Sequence, residues 1–171
     1  MRTKTLCAAS LLVCGTLFNF SCLKELDPEF RHLGKQSTES SPAFDLNVNL
    51  KGPGNSHGHL KFRQDPDPAK VIDLGIKVHN LLPNHEYLLQ RAVDAINEVD
   101  GNCTSTSWLT LGKGLTPQSI KTDKNGNGEE ALWRDVSAVA SGSAFDIHFQ
   151  VIDAASLAIV LTSDCYKYKV R

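Results

Sequence analysis

From Phe44 onward the chain alternates between apolar and polar positions. "FDLNVNL" (44–50) sets Phe44, Leu46, Val48 and Leu50 against Asp45, Asn47 and Asn49, the period-two signature of a strand with one buried face. "GHLKFRQ" (58–64) sets Leu60 and Phe62 against His59, Lys61 and Arg63, and "VIDLGIKVH" (71–79) lines up Ile72, Leu74, Ile76 and Val78. "AFDIHFQVID" (144–153) points Phe145, Ile147, Phe149 and Val151 inward and Asp146, His148 and Gln150 outward. "SWLTLG" (107–112), "EALWRDV" (130–136), "LAIVLT" and "CYKYKV" are shorter candidates, and "KGPGNS", "DPDPAK" and "LLPNHE" break the pattern as turns. "YLLQRAVDAINEV" (87–99) fits two patterns. A helix would align Leu88, Ala92, Ala95 and Val99; a strand would place Tyr87, Leu89 and Val93 on one face together with Arg91. The β character of every neighbour favours a strand through about Val93. Strands with one apolar face must meet across a shared core. The expected fold is therefore all-β: a Greek-key or immunoglobulin-like β-sandwich of seven to eight strands over residues 44–171, with a small closed barrel as the alternative closure.

The N-terminus follows a different rule. Arg2 and Lys4 precede "LCAASLLVCGTLFNF" (6–20), a run without charge, and the next charge is Lys24. The run suits the core of an export signal over residues 1–21 better than a membrane span, which needs about 20 apolar residues; an uncleaved signal anchor is the alternative. Ser21 supplies the small residue that precedes the cysteine of a lipoprotein signal, which makes Cys22 the candidate lipidation site, while Asn19 and Phe20 depart from that box. Plain secretion is the other outcome. Residues 22–43 are polar with Ser and Pro, as a tether would be, and the stretch after Cys22 could reach roughly 70 Å when extended. Cysteine parity bears on the choice. If Cys7 and Cys14 leave with the signal and Cys22 carries lipid, Cys103 and Cys165 remain as one pair, suited to an oxidising compartment. If Cys22 is cut away or free, the parity argument has no force.

The 171 residues carry a formal net charge of −1 and 41% apolar residues. No global field favours nucleic acid or an anionic surface, and the apolar content suits a globular domain with appendages. No repeat of solenoid or propeller length is evident.

"GHLKFRQ", "VIDLGIKVHNLLPNHEY", "DGNCTSTS" and "IKTDKNGNGEEA" occur in an order that resembles copper/zinc superoxide dismutase and its relatives. The resemblance covers most of residues 58–132. It implies a Greek-key sandwich and a disulfide from Cys103. It does not carry the activity across: where that family has its copper-binding His-Xaa-His, this chain has "YLLQR", and the bridging and zinc histidines have no counterparts.

Two groups of residues are candidates for metal chemistry. His57 and His59 are two apart, so on a strand both imidazoles share a face. A hairpin register that sets Arg63 against Asp73 also sets His57 against His79, which would gather His57, His59 and His79 on the outer face for zinc or copper. Three solvated histidines are the plain alternative. "DKNGNG" (123–128) begins like a calcium loop through Asp123, Asn125 and Asn127, but its twelfth position is Arg134, where a bidentate Glu is needed. A hairpin turn is the plain reading. "NCT" (102–104) is a glycosylation sequon only in a eukaryotic secretory host. Trp108 and Trp133 are read as half-buried packing. No nucleophile elbow or phosphate loop is evident. The expectation is an exported, lipid-anchored, non-enzymatic binding or structural module of the cell envelope, with no cofactor and no nucleic-acid partner. Its partners would be the membrane, through Cys22, and an envelope or extracellular ligand. A dismutase-like metal protein with rearranged ligands and a calcium-dependent adhesion module are the alternatives.

Overall fold

The computed structural model describes residues 44–171. The expected signal over 1–21, lipidation at Cys22 and the tether over 22–43 lie outside the described residues. Twelve strands follow one another: β1 (Phe44–Lys51), β2 (His57–Gln64), β3 (Val71–His79), β4 (Glu86–Val93), β5 (Leu109–Thr110), β6 (Gly112–Lys113), β7 (Thr116–Pro117), β8 (Ser119–Lys121), β9 (Gly128–Asp135), β10 (Ala144–Asp153), β11 (Ile159–Ser163) and β12 (Tyr166–Lys169). The fold is all-β, a single sheet curled into a nearly closed barrel with sandwich-like character.

The sheet runs β4-β10-β11-β1-β2-β3-β9. The connections β3–β4 and β9–β10 each pass over intervening strands, as in a Greek key. Closure from β9 back to β4 comes from the segment between them. β8 pairs with β4, while Thr122 bridges Gly128 at the start of β9. β5 pairs with β4, and β6 pairs in parallel with β9 through Lys113 and Trp133. On the other side β11 and β12 take successive halves of the β10 edge, and only β11 goes on to pair with β1. Beside β12 the ladder is replaced by side chains. The Tyr168 hydroxyl donates to Gln64 Oε1 at 2.7 Å, the Arg171 N–H donates to the same oxygen at 2.9 Å, and the Phe44 and Tyr168 rings meet edge-on at 5.1 Å.

The alternation read from the sequence is the alternation of burial. On β2, Leu60, Phe62 and Gln64 point inward; on β3, Ile72, Leu74, Ile76 and Val78 do. Each such apolar side chain removed from water stabilises the fold by about 1.5–3 kcal/mol before the entropy of ordering the chain is counted. The β2–β3 register pairs His57 with His79 and Arg63 with Asp73, as the sequence predicts. The Arg63 guanidinium nevertheless turns elsewhere, to Asp45 at 3.2 Å and Asp65 at 2.6 Å.

Two expectations are corrected. "SWLTLG" is not one strand: it is split into the two-residue β5 and β6, because the chain crosses from β4 to β9 there and cannot stay in register with both. β10 does not alternate cleanly. Asp146 and Gln150, expected to face solvent, are 1% and 4% exposed. The segment between β4 and β5 folds over the outside of β10, with Gly101 N–H donating to Asp146 Oδ2 at 2.8 Å, and Gln150 Nε2 donates to Gln90 Oε1 at 2.7 Å.

Candidate functional site

At one end of the barrel the β2–β3 hairpin brings three imidazoles together. His57 stacks on His79 at 5.0 Å and meets His59 edge-on at 5.8 Å. Each ring is oriented by an oxygen on its Nδ1 side. His57 Nδ1 lies 2.9 Å from the Asn55 carbonyl, His59 Nδ1 2.9 Å from Asn49 Oδ1, and His79 Nδ1 3.1 Å from Asn127 Oδ1. A carbonyl only accepts, so Nδ1 of His57 donates to it, and in the neutral ring Nε2 is then the acceptor. The same polarity at His59 and His79 would present three Nε2 acceptors, the tautomer that metal-binding histidines adopt. Among the described residues no group of three or more His, Cys, Asp or Glu side chains is placed to hold a metal ion together.

The loop over residues 122–128 is organised around its own aspartate. Asp123 Oδ1 accepts from the N–H groups of Asn125 at 2.8 Å and Asn127 at 2.9 Å. These bonds, that from Asn127 foremost, hold the Asp123 carboxyl below its ordinary pKa. Gly126 is left-handed at φ 77°, and a Cβ there would stand 2.1 Å from the Leu81 carbonyl. The carboxylate oxygen and the Asn127 side chain that a calcium ion would need are thus directed at the loop backbone and at His79.

The positions where the superoxide dismutase resemblance would place copper are in β4, where Tyr87, Leu89 and Arg91 take the inward side. Tyr87 and Leu89 are 1% and 0% exposed, and the Tyr87 hydroxyl accepts from the Leu82 N–H at 3.0 Å. No imidazole stands on this strand, so the copper site of that family does not fit these residues.

Cys103 and Cys165 form a disulfide with a Cα separation of 5.4 Å. It fastens the segment that covers β10 to the turn between β11 and β12. Within the same cover Asp94 accepts from the N–H groups of Thr104 and Ser105, His148 Nε2 lies 3.0 Å from the Ser105 carbonyl, and Trp108 stacks on His148 at 4.6 Å. Trp133, by contrast, is 41% exposed, its ring lying over Gly114.

Two features escape the sequence reading. His85 Nε2 meets Asp153 Oδ2, while Asp153 Oδ1 takes the N–H groups of Ala155 and Ser156. Those contacts, led by the Ser156 N–H, hold the Asp153 carboxyl down to about 2 and fasten the β10–β11 turn beside the start of β4. Nothing in the spacing of His85 and Asp153 announces the pair, because they stand 68 positions apart. The second feature is legible in hindsight: Arg91 and Arg134 both occupy inward positions of their strands, in phase with Leu89 and Leu132. Burial lowers the Arg91 pKa, and the nearby Arg134 charge lowers it further. No family model matches this chain, and no curated protein matches it in a sequence search.

Proposed function

We propose that the chain is an exported, non-enzymatic β-barrel module, held at the cell envelope by a lipid on Cys22 and acting there by binding. The observation that carries the reading is the Cys103–Cys165 bond. It takes up both cysteines of the barrel and leaves Cys22 outside the pair, between the uncharged run and the polar stretch that follows. A structural disulfide belongs to an oxidising compartment, which is where an export signal leads. Cys22→Ser is expected to move the protein from the membrane to the soluble fraction of a bacterial host. Radiolabelled palmitate should enter the wild-type chain and not the variant; a wild-type chain that takes up no label would rule the anchor out.

A second reading starts from the stacked His57 and His79 imidazoles: a surface zinc or copper site completed by a ligand from outside the chain, since the described residues gather no group of three. It expects one equivalent of zinc or copper to bind the purified chain and to be lost in His57→Ala. Metal uptake that is unchanged in this variant would contradict it.

A further inference from the structure

The end of the barrel opposite the histidines is hollow. A cavity of about 160 Å³ lies where the ladder opens beside β12, walled by Phe62, Leu74, Ile147, Phe149 and Tyr168. Its rim includes Ile96, a residue of the β4–β5 segment that is 59% exposed. A purely apolar void of about this size stays dry and takes small apolar molecules such as benzene. This one differs by two groups: Arg91 and Arg134 also line it.

Their placement is a consequence of the pleat. Arg91 follows Tyr87 and Leu89 on the inner side of β4, and Arg134 follows Leu132 on the inner side of β9. Long cationic side chains at inner positions normally reach a carboxylate. Here neither guanidinium forms an ion pair among the described residues, where the other bridges use Arg63, His85 and several lysines. Arg134 Nη1 donates to the Gly114 carbonyl at 3.2 Å, and among the described residues neither guanidinium forms another side-chain hydrogen bond, while both side chains line the cavity. Two neighbouring cations over an apolar hollow repel one another, and among the described residues no carboxylate pairs with either. An anion with an apolar body would supply both missing components at once.

We propose that this cavity binds a small amphipathic carboxylate, with its tail against Phe62, Ile147 and Phe149 and its head on Arg91 and Arg134. A guanidinium fork matches the two oxygens of a carboxylate. The volume sets the scale: a chain of medium length or a single aromatic ring fits, and a long-chain lipid does not. The inference deepens the binding-module reading by giving it a ligand class, and it does not depend on the anchor.

Calorimetric titration of the purified full chain with octanoate and with 1-octanol tests it. The two probes share a tail and differ in charge. Octanoate is expected to bind about tenfold more tightly, the size of one charge-assisted hydrogen bond. Arg91→Gln should erase that preference while the tail still binds. Ile147→Trp should fill the hollow and abolish both titrations; if that variant does not fold, Arg91→Gln alone decides. No binding of octanoate at millimolar concentration, equal binding of the two probes, or a preference unchanged in Arg91→Gln would overturn the proposal. None of these outcomes touches palmitate labelling at Cys22, so the two readings fail separately.

Discussion

Reduction of the Cys103–Cys165 disulfide, or the substitution Cys103→Ser, is expected to lower the melting temperature by roughly 10–20 °C. The cysteines are 62 positions apart. Releasing a loop of that length restores conformational entropy to the unfolded chain, on the order of 4 kcal/mol of lost stability. A domain of this size has a net stability of about 5–15 kcal/mol, so the loss is a large fraction of the whole. The native state loses something as well. The bond fastens the cover over β10, and that cover supplies the Gly101 N–H to Asp146, which is 1% exposed. Once the cover loosens, a carboxylate now held against the barrel must be solvated in place. Scanning calorimetry with and without reductant measures the effect. A shift of only a degree or two would mean that the cover holds without its bond.

Phe149→Ala is expected to cost about 3–5 kcal/mol, read as a fall in the urea midpoint with an unchanged slope. Phe149 is 1% exposed at the centre of β10, and its ring meets Phe62 at 6.2 Å across the core. It also lines the cavity. Truncation therefore enlarges a hollow that is already present, and the rigid strands around it have little freedom to collapse inward. That geometry places the cost toward the upper part of the range, since it grows with the residual cavity. A loss below about 1 kcal/mol would show that the neighbours can close over the site.

The sequence and the structure agree where one physical rule dominates. Strands β1 to β3 carry a strict two-residue alternation and short turns, so their faces, and for β2 and β3 the register that pairs His57 with His79, could be read directly. The ambiguous segment from Tyr87 becomes strand β4 and stops at Val93, where Asp94 turns to cap Thr104 and Ser105. Agreement ends where a contact depends on a distant segment. Asp146 and Gln150 sit at outward positions of β10, and groups from elsewhere cover them, Gly101 of the β4–β5 segment meeting Asp146 and Gln90 of β4 meeting Gln150. Periodicity describes a strand's own two faces and is blind to a loop that returns across one of them. Arg63 shows the same limit at smaller scale: its register was legible, and its choice of Asp45 and Asp65 over Asp73 was not. Arg91 was in phase with inward residues from the start. Its meaning depended on Arg134, whose strand joins the same barrel end only after the Greek-key crossing. The histidine positions followed from local pairing alone. Their orientation by Asn49 and Asn127 required two further strand ends to arrive beside them.

In the function we propose, the chain is an exported module in which one cysteine carries lipid and the other two carry a bond. Mass spectrometry of the protein extracted from a bacterial envelope without reduction tests it most directly. The expected chain begins at a lipid-modified Cys22 and yields one cross-linked peptide joining Cys103 to Cys165. A chain that retains residues 1–21 or begins beyond Cys22, or one in which Cys103 and Cys165 are both alkylated as free thiols, would contradict it.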